Sequence, residues 1–124
     1  MVPKFRAWDK RENTMRDVAV LHFTKGGKVN SIEYWKTPSE LKSYHVRNLV
    51  LMQSTGLKDK NGVESFEGDI GWDDHQEVHG QVIFENGAFK YEWENISEDL
   101  FEATDDIEIV GNIYENSELL EGSE

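Results

Sequence analysis

The sequence predicts a mainly β protein, a strand-rich α+β chain whose short antiparallel strands form a small barrel or sandwich. Three observations support this fold class. Seven or eight apolar or alternating segments recur at spacings of roughly 8 to 12 residues. Glycine-containing turn signals separate them, and at most one or two segments favour a short helix. In the C-terminal half, the order of glycines and aromatic residues is typical of an SH3-like barrel.

The first half begins with alternating segments separated by turns. Residues 4–8 alternate as a short aromatic strand, which the turn formers of residues 9–13 end. Residues 15–23 and 29–35 predict the two strands of a hairpin. Gly26-Gly27 lies between them and suits a tight turn, because glycine reaches positive φ without a Cβ penalty.

A helix start is predicted after the hairpin. The segment Thr37-Pro38-Ser39-Glu40 has a threonine cap, a proline at the first helical position and a glutamate three residues after the cap. We expect one or two turns that end near Val46 and place Leu41 and Tyr44 on the core.

The middle of the chain predicts two further strands with loops between and after them. The apolar run Leu49–Met52 is short enough for a buried strand, and Thr55–Gly62 reads as a polar loop with the turn dipeptide Asn61-Gly62. Gly68-Asp69-Ile70-Gly71 indicates the start of the next strand, and residues 73–79 predict a charged loop.

The clearest hairpin of the sequence joins residues 80–84 to residues 88–93 through Glu85-Asn86-Gly87. Bulky side chains recur there at period two, so each strand can place them on one face; they are Val82, Phe84, Phe89, Tyr91 and Trp93. A helical turn is expected around Leu100 and Phe101, before a last strand over residues 107–113.

A single domain over residues 1–124 accounts for this pattern, since the length allows one compact domain or two small β modules. The possible sub-modules are a basic β half, residues 1–50, and an acidic barrel half, residues 51–117. We expect residues 118–124 to form a flexible tail, anchored if at all by Leu119 and Leu120.

The two halves of the chain carry opposite charge. Residues 1–50 contain 10 Lys and Arg against 5 Asp and Glu, a net +5, and residues 51–124 contain 3 against 20, a net −17, which together give −12. The second half would repel phosphate groups, so we expect no direct nucleic-acid binding there. Its carboxylates could attract the basic half, within one molecule or between subunits, or face a basic partner protein.

Composition excludes several classes of protein. No apolar run approaches the roughly 18 residues that a membrane span requires. The N-terminus lacks the apolar core of a signal peptide, and the absence of cysteine excludes disulfides and thiolate sites. We therefore expect a cytoplasmic protein with no cofactor and no membrane partner.

Four ordered blocks form a recognisable pattern: Lys4–Asp9, Leu51–Gly62, Glu67–Ile70 and Val110–Asn116. Together they resemble the YopX proteins of bacteriophages and prophages, over nearly the whole chain. The resemblance implies a phage-encoded protein of the bacterial cytoplasm that has a mainly β fold and self-associates. One departure is visible, because Gly71-Trp72-Asp73-Asp74 follows Ile70 where a more β-branched strand is expected, and the edge of that strand should be altered.

The resemblance transfers no catalytic residue, because glycines, aromatic residues and turn formers make up the shared blocks. Their simplest role is architectural: the glycines meet backbone demands and the large side chains fill the core. The residues that we assign to structure are Phe5, Trp8, Gly56, Gly62, Gly68, Asp69 and Gly111.

The segment Asp73–His79 holds the densest set of potential metal ligands. On a helix, His75 and His79 would share a face and could hold a transition metal together with a carboxylate. Gly71 and Gly80 bracket the segment, however, and favour a β loop in which this spacing has no fixed geometry. Both histidines are therefore weak metal candidates, and a metal-dependent enzyme is the second alternative function.

No other pattern in the sequence indicates catalysis. Carboxylate pairs such as Glu67 with Asp69 are too common among 25 acidic residues to identify a general acid and base. No serine lies in a G-x-S-x-G elbow, and the glycines form no phosphate-binding loop. We assign no catalytic residue.

Aromatic side chains are the better candidates for a site, since they anchor many protein interfaces. Our interaction candidates are Trp35 and Trp72, together with Asp73 and Asp74, because an exposed Trp72 beside these carboxylates would mark a contact surface for a basic partner. Trp93 lies on the patterned strand and is expected in the core. The sequence thus predicts a non-enzymatic, self-associating interaction module, or alternatively an acidic decoy that mimics DNA toward a basic host protein.

Overall fold

The structure is a computed structural model that describes residues 4–121. These residues fold as two compact units, one ending at Gln53 and the other beginning at Ser54. Both are built from antiparallel strands with very short helices, which confirms the mainly β fold class. The possible sub-modules of the sequence divided the chain three residues earlier, at Val50.

The first unit is an antiparallel sheet in the order β4-β3-β2-β1-β5. The strands are β1 (Phe5–Asp9), β2 (Thr14–Phe23), β3 (Val29–Thr37), β4 (Glu40–His45) and the first half of β5 (Leu49–Lys58). Gly27, with φ of 93°, closes the predicted hairpin between β2 and β3. The core consists of buried Ala7, Ile32, Tyr34 and Leu49, against which Val18, Leu21, Val29, Tyr44 and Leu51 pack.

The helix expected from Thr37 to Val46 is wrong. Pro38 and Ser39 instead form the turn of a hairpin, and β4 pairs with β3 so that Leu41 lies opposite Trp35 and Tyr44 opposite Ile32. The capping signature was a local signal worth about 1 kcal/mol, and pairing along a whole strand outweighs it. Only a single 3-10 turn, Val46–Asn48, follows β4.

The second unit is built around a five-stranded antiparallel sheet in the order β10-β9-β8-β7-β11. Its elements are β6 (Glu64–Phe66), β7 (Asp69–Asp73), β8 (Val78–Glu85), β9 (Ala88–Trp93), β10 (Ile96–Asp99), α1 (Leu100–Ala103), β11 (Ile107–Asn112) and α2 (Glu118–Glu121). The short helix α1 follows β10 directly and precedes β11, the last strand. Of the barrel or sandwich that the sequence predicted, the described residues form two antiparallel sheets and no closed barrel.

Several local predictions for this unit are confirmed. Asn86 and Gly87, with φ of 54° and 81°, form the two-residue turn between β8 and β9. The helical turn expected near Leu100 is α1.

The predicted loop from Thr55 is shorter than expected, because β5 continues to Lys58 and pairs there with β6. Where a flexible tail was expected, residues 118–121 form α2, and residues 122–124 lie outside the described part.

Tyr91 occupies the centre of the second core. It is buried with Val82, Leu100, Ala103 and Ile107, and its ring lies over two glycines that face each other across β7 and β8, Gly71 and Gly80. Burial, and then the nearby Asp73 carboxylate, raise the pKa of Tyr91 well above its ordinary value. Gly71 begins the segment Gly71-Trp72-Asp73-Asp74 that departs from the family pattern, and β7 pairs on both sides, with β8 and with β11.

Buried carboxylates hold the loops of both units. Asp59 accepts hydrogen bonds from the backbone N–H groups of Asn61 (2.8 Å) and Val63 (2.9 Å) in its own turn and of Ile109 (2.8 Å) in β11. In the first unit, Asp9 accepts from two turn N–H groups and from the Arg16 side chain. Such bonds satisfy turn donors that β pairing leaves open.

We predict that Gly80→Ala lowers the free energy of unfolding by about 1 to 3 kcal/mol, the usual cost of overpacking a core. A Cβ at Gly80 would lie 2.6 Å from Tyr91 Cζ and 2.8 Å from the Glu92 carbonyl oxygen. Urea unfolding measures the loss. The matched control is Gly26→Ala in an exposed turn, whose nearest neighbour is Thr24 Oγ1 at 3.8 Å. Equal stabilities of the two variants would contradict this packing.

A second prediction concerns Asp59. Burial raises its pKa, but the N–H groups of Ile109, Val63 and Asn61 and the nearby Lys60 outweigh burial, so the pKa of Asp59 is lowered below its ordinary value. A lowered folded pKa stabilises the protein above the unfolded pKa of about 3.9, and this contribution is lost as pH falls through the folded pKa. Asp59→Asn should cost about 2 kcal/mol at pH 7.

The pH series distinguishes this carboxylate from a purely steric effect. The difference in unfolding free energy between wild type and Asp59→Asn should shrink as pH is lowered below about 4. Asp105→Asn, which removes an exposed carboxylate, should leave stability nearly unchanged throughout. A wild-type advantage that stays constant down to pH 2 would show that the charge of Asp59 does not matter.

Candidate functional site

One face of the second sheet carries a cleft of about 520 Å³. Strand register builds its floor: Trp72 of β7 lies opposite His79 of β8, and Gln81 of β8 lies opposite Glu92 of β9. His79 and Gln81 are two residues apart on β8, so they project on the same side of the sheet. That side is opposite to Gly71 and Gly80.

The floor residues contact one another in pairs. The rings of Trp72 and His79 have centroids 4.7 Å apart with an interplanar angle of 52°. Gln81 Nε2 donates a hydrogen bond of 3.4 Å to Glu92 Oε1. All four side chains are half-buried, and their contacts restrict the rotamers of the floor.

The walls of the cleft come from turns and from α2. Glu77 ends the turn before β8, Glu94 lies in the turn after β9, and both have left-handed backbones with φ of 57° and 54°. The Trp93 side chain lies on the same side of β9 as Tyr91 and packs against the core, as the sequence predicted, and it borders the cleft beside Glu94 where β9 ends. Leu119 and Leu120 of α2 add an apolar side.

The side chains that line the cleft are mostly acidic or apolar. Three carboxylates line it, together with the indole of Trp72, and no lysine or arginine does. Within residues 4–121, Glu77, Glu92 and Glu94 form no ion pair with a cation. An anionic ligand would be repelled, whereas a cation could contact both the carboxylates and the ring faces.

The structure separates the residues that the sequence placed together as interaction candidates. Trp72 lies in the cleft, as described above. Asp73 is buried and points into its own turn, where its carboxylate accepts from the N–H groups of His75 (2.9 Å) and Gln76 (3.2 Å). Asp74 is exposed, and Lys60 Nζ lies 3.4 Å from its carboxylate. Asp73 therefore cannot present its charge to a partner, because the turn already uses it.

The weak metal candidates lie in different settings. His75 is exposed in the turn, whereas His79 is on β8 and contacts Trp72. Within the described chain, no group of three or more His, Asp or Glu side chains is placed to hold a metal ion.

Trp35 belongs to the first unit and is 46% exposed on β3. A separate basic concavity of that unit, about 680 Å³, is lined by Arg11, Lys42, His45 and Arg47, with Glu12 as its one carboxylate. Arg11 lies 5.9 Å from the centre of the Tyr44 ring. This surface has the opposite charge to the cleft.

The residues to which the sequence assigned a structural role lie in turns or in packed surroundings. Gly56, Gly62 and Gly68 have positive φ, and a Cβ at Gly111 would clash with the Asn116 side chain. Trp8 and Asp69 are buried, and the Asp69 carboxylate accepts from the Phe66 N–H at 2.8 Å. Phe5 is half-buried and lines an apolar concavity with β2.

Acidic side chains also crowd together near α1. Burial, and then Glu102, Asp106 and Asp73, raise the pKa of Glu98 above its ordinary value. This crowding indicates a strong negative potential on the second unit outside the cleft as well.

Sequence reasoning missed most of the cleft. Glu77, Gln81, Glu92 and Glu94 were not singled out, and α2 was taken for a flexible tail. The period-two pattern of the β8–β9 hairpin was the available signal, because residues alternating with the core residues had to share the opposite face.

No helix among residues 4–121 is long and apolar enough to cross a membrane. The family model described as "YopX protein" matches residues 4–121. None of the curated proteins matches the chain. Protein EF1440 from Enterococcus faecalis, known from a crystal structure, has 32% sequence identity and a TM-score of 0.74, with 97% of this chain and 99% of that chain covered.

Proposed function

The chain belongs to the YopX family, and we propose that it is a non-enzymatic protein-interaction module that associates with copies of itself through oppositely charged surfaces. The observation that supports this proposal most is the segregation of charge into separate folding units. The chain through Gln53 has a net charge of +5, and the remainder has −17. Such segregation favours attraction between unlike surfaces.

Each unit also has a concave surface whose charge has the same sign as the net charge of that unit. The basic concavity presents Arg11, Lys42 and Arg47, and the cleft presents Glu77, Glu92 and Glu94. A contact between the basic concavity of one copy and the cleft of another would be heterologous. Such contacts form a ring if the rotation closes, and a linear chain if it does not.

Local contacts support binding rather than acid–base catalysis. The buried carboxylates of Asp9, Asp59 and Asp73 accept several hydrogen bonds in turns, so each already has a structural role. The cleft carboxylates, in contrast, are half-buried or exposed and can contact a partner directly.

Light scattering across a salt series tests self-association. The mean mass should fall as ionic strength rises from about 50 to 500 mM, since exposed charge pairs are screened. Arg11→Glu with Arg47→Glu should give monomers at low salt. The matched control is Lys25→Glu with Lys28→Glu, which makes the same charge change in an exposed turn.

Charge reversal on the cleft, alone and in mixture with the first variant, tests the same contact from the other side. Glu92→Lys with Glu94→Lys should also give monomers, and an equimolar mixture with the Arg11/Arg47 variant should restore association, because each reversed surface meets its complement. A mass that does not depend on salt, or a mixture that stays monomeric, would reject the electrostatic contact.

A second candidate function is an acidic decoy for a basic nucleic-acid-binding protein of the host. The carboxylate-lined cleft and the net charge of −17 after Gln53 favour it. Immobilised wild type should retain DNA-binding proteins from a bacterial lysate, and added duplex DNA should release them. The Glu92→Lys, Glu94→Lys variant should retain fewer. Retention of no basic protein would remove this candidate.

A further inference from the structure

We propose that the cleft is a binding site for the side chain of a single arginine of a partner protein. This inference deepens the proposed function and rests on it, since it names the group that an interaction partner would insert. Neither charge nor aromatic content alone leads to it. The argument depends on their arrangement in one concave site.

The carboxylates supply the first half of the argument. Glu92 is half-buried, and Gln81 donates to only one of its oxygens, Oε1, at 3.4 Å. No cation within residues 4–121 pairs with Glu77, Glu92 or Glu94. A partly desolvated carboxylate without a counter-ion gains most from a donor that carries positive charge.

The Trp72 ring supplies the second half. Its indole lines the cleft and is held by His79 at a centroid distance of 4.7 Å. The Trp72 indole is thus fixed before a ligand arrives, which reduces the entropy lost on binding. A cation over an indole face is the strongest of the common cation–π arrangements.

Arginine fits this combination better than other cations. Its planar guanidinium can stack on an indole while its N–H groups donate to carboxylates at the edge, whereas a lysine ammonium lacks a plane to stack. Divalent metal ions prefer oxygen or imidazole ligand sets, and the described residues contain no such group of three. The apolar wall of Leu119 and Leu120 can contact the methylene stem of the arginine.

Titration of the whole protein with the peptide acetyl-Gly-Arg-Gly-amide tests the proposal by NMR. The tryptophan indole N–H signals report the location: that of Trp72 should shift most, and those of Trp8 and Trp35 should not shift. The citrulline peptide, which has nearly the same shape without the charge, should bind at least about tenfold more weakly.

Isosteric variants preserve the fold while removing charge. Glu92→Gln should weaken binding about threefold to fivefold, and Glu92→Gln with Glu94→Gln about tenfold or more. Glu85→Gln is the matched control, because Glu85 is exposed at the end of the same strand as Gln81. Its affinity should stay within about twofold of wild type.

Any of four results would overturn the inference: no binding of the arginine peptide, shifts confined to Trp8 or Trp35, equal affinity for the citrulline peptide, or tighter binding of spermidine than of the arginine peptide. The last would identify the ligand as a free polyamine rather than a protein side chain. Salt-sensitive self-association without peptide binding would remove the arginine site alone. Peptide binding without self-association would instead contradict the self-contact and leave the cleft assignment standing.

Discussion

Hydrogen bonds from backbone N–H groups to buried aspartates are the interaction on which this structure depends most. A chain with so many short strands has many turns, and each turn leaves N–H donors that no ladder satisfies. Asp59 closes its own turn and also accepts from Ile109, fifty residues later in the sequence. The Asp73 carboxylate accepts hydrogen bonds from N–H groups of the turn before β8, and the Asp9 carboxylate does so in a turn of the first unit. The acidic composition is therefore partly an internal requirement of the turns.

The fold was largely predictable wherever a local pattern and the final pairing agreed. Alternation and Asn-Gly chemistry identified the β8–β9 hairpin, because its strands are neighbours in sequence and its turn requires positive φ. The Thr37 capping signature failed, since pairing of Glu40–His45 with β3 is decided by contacts that the segment itself does not encode. The short strand β10 was missed for a related reason: Ile96–Asp99 has little alternation and takes its conformation from β9.

The cleft was less predictable than the fold. Trp72 was singled out from the sequence and does line the cleft, but its presumed acidic neighbour Asp73 faces a turn, and the carboxylates that line the cleft are those of Glu77, Glu92 and Glu94. Their proximity follows from strand register and from two turns with left-handed residues, neither of which is visible in residue type alone. A reading that assigned every residue of β8 and β9 to one of two faces would have placed Gln81 and Glu92 together.

The Gly71–Gly80 pair has a consequence for how this chain can diverge. These residues stand beside the Trp72–His79 pair in the same ladder, so a single layer of backbone separates the Tyr91 ring from the floor of the cleft. Any substitution that displaces that ring would also move the floor of the cleft. Replacements on the two sides of this layer should therefore be coupled, so that a change in the cleft floor is accompanied by a compensating change beneath the sheet.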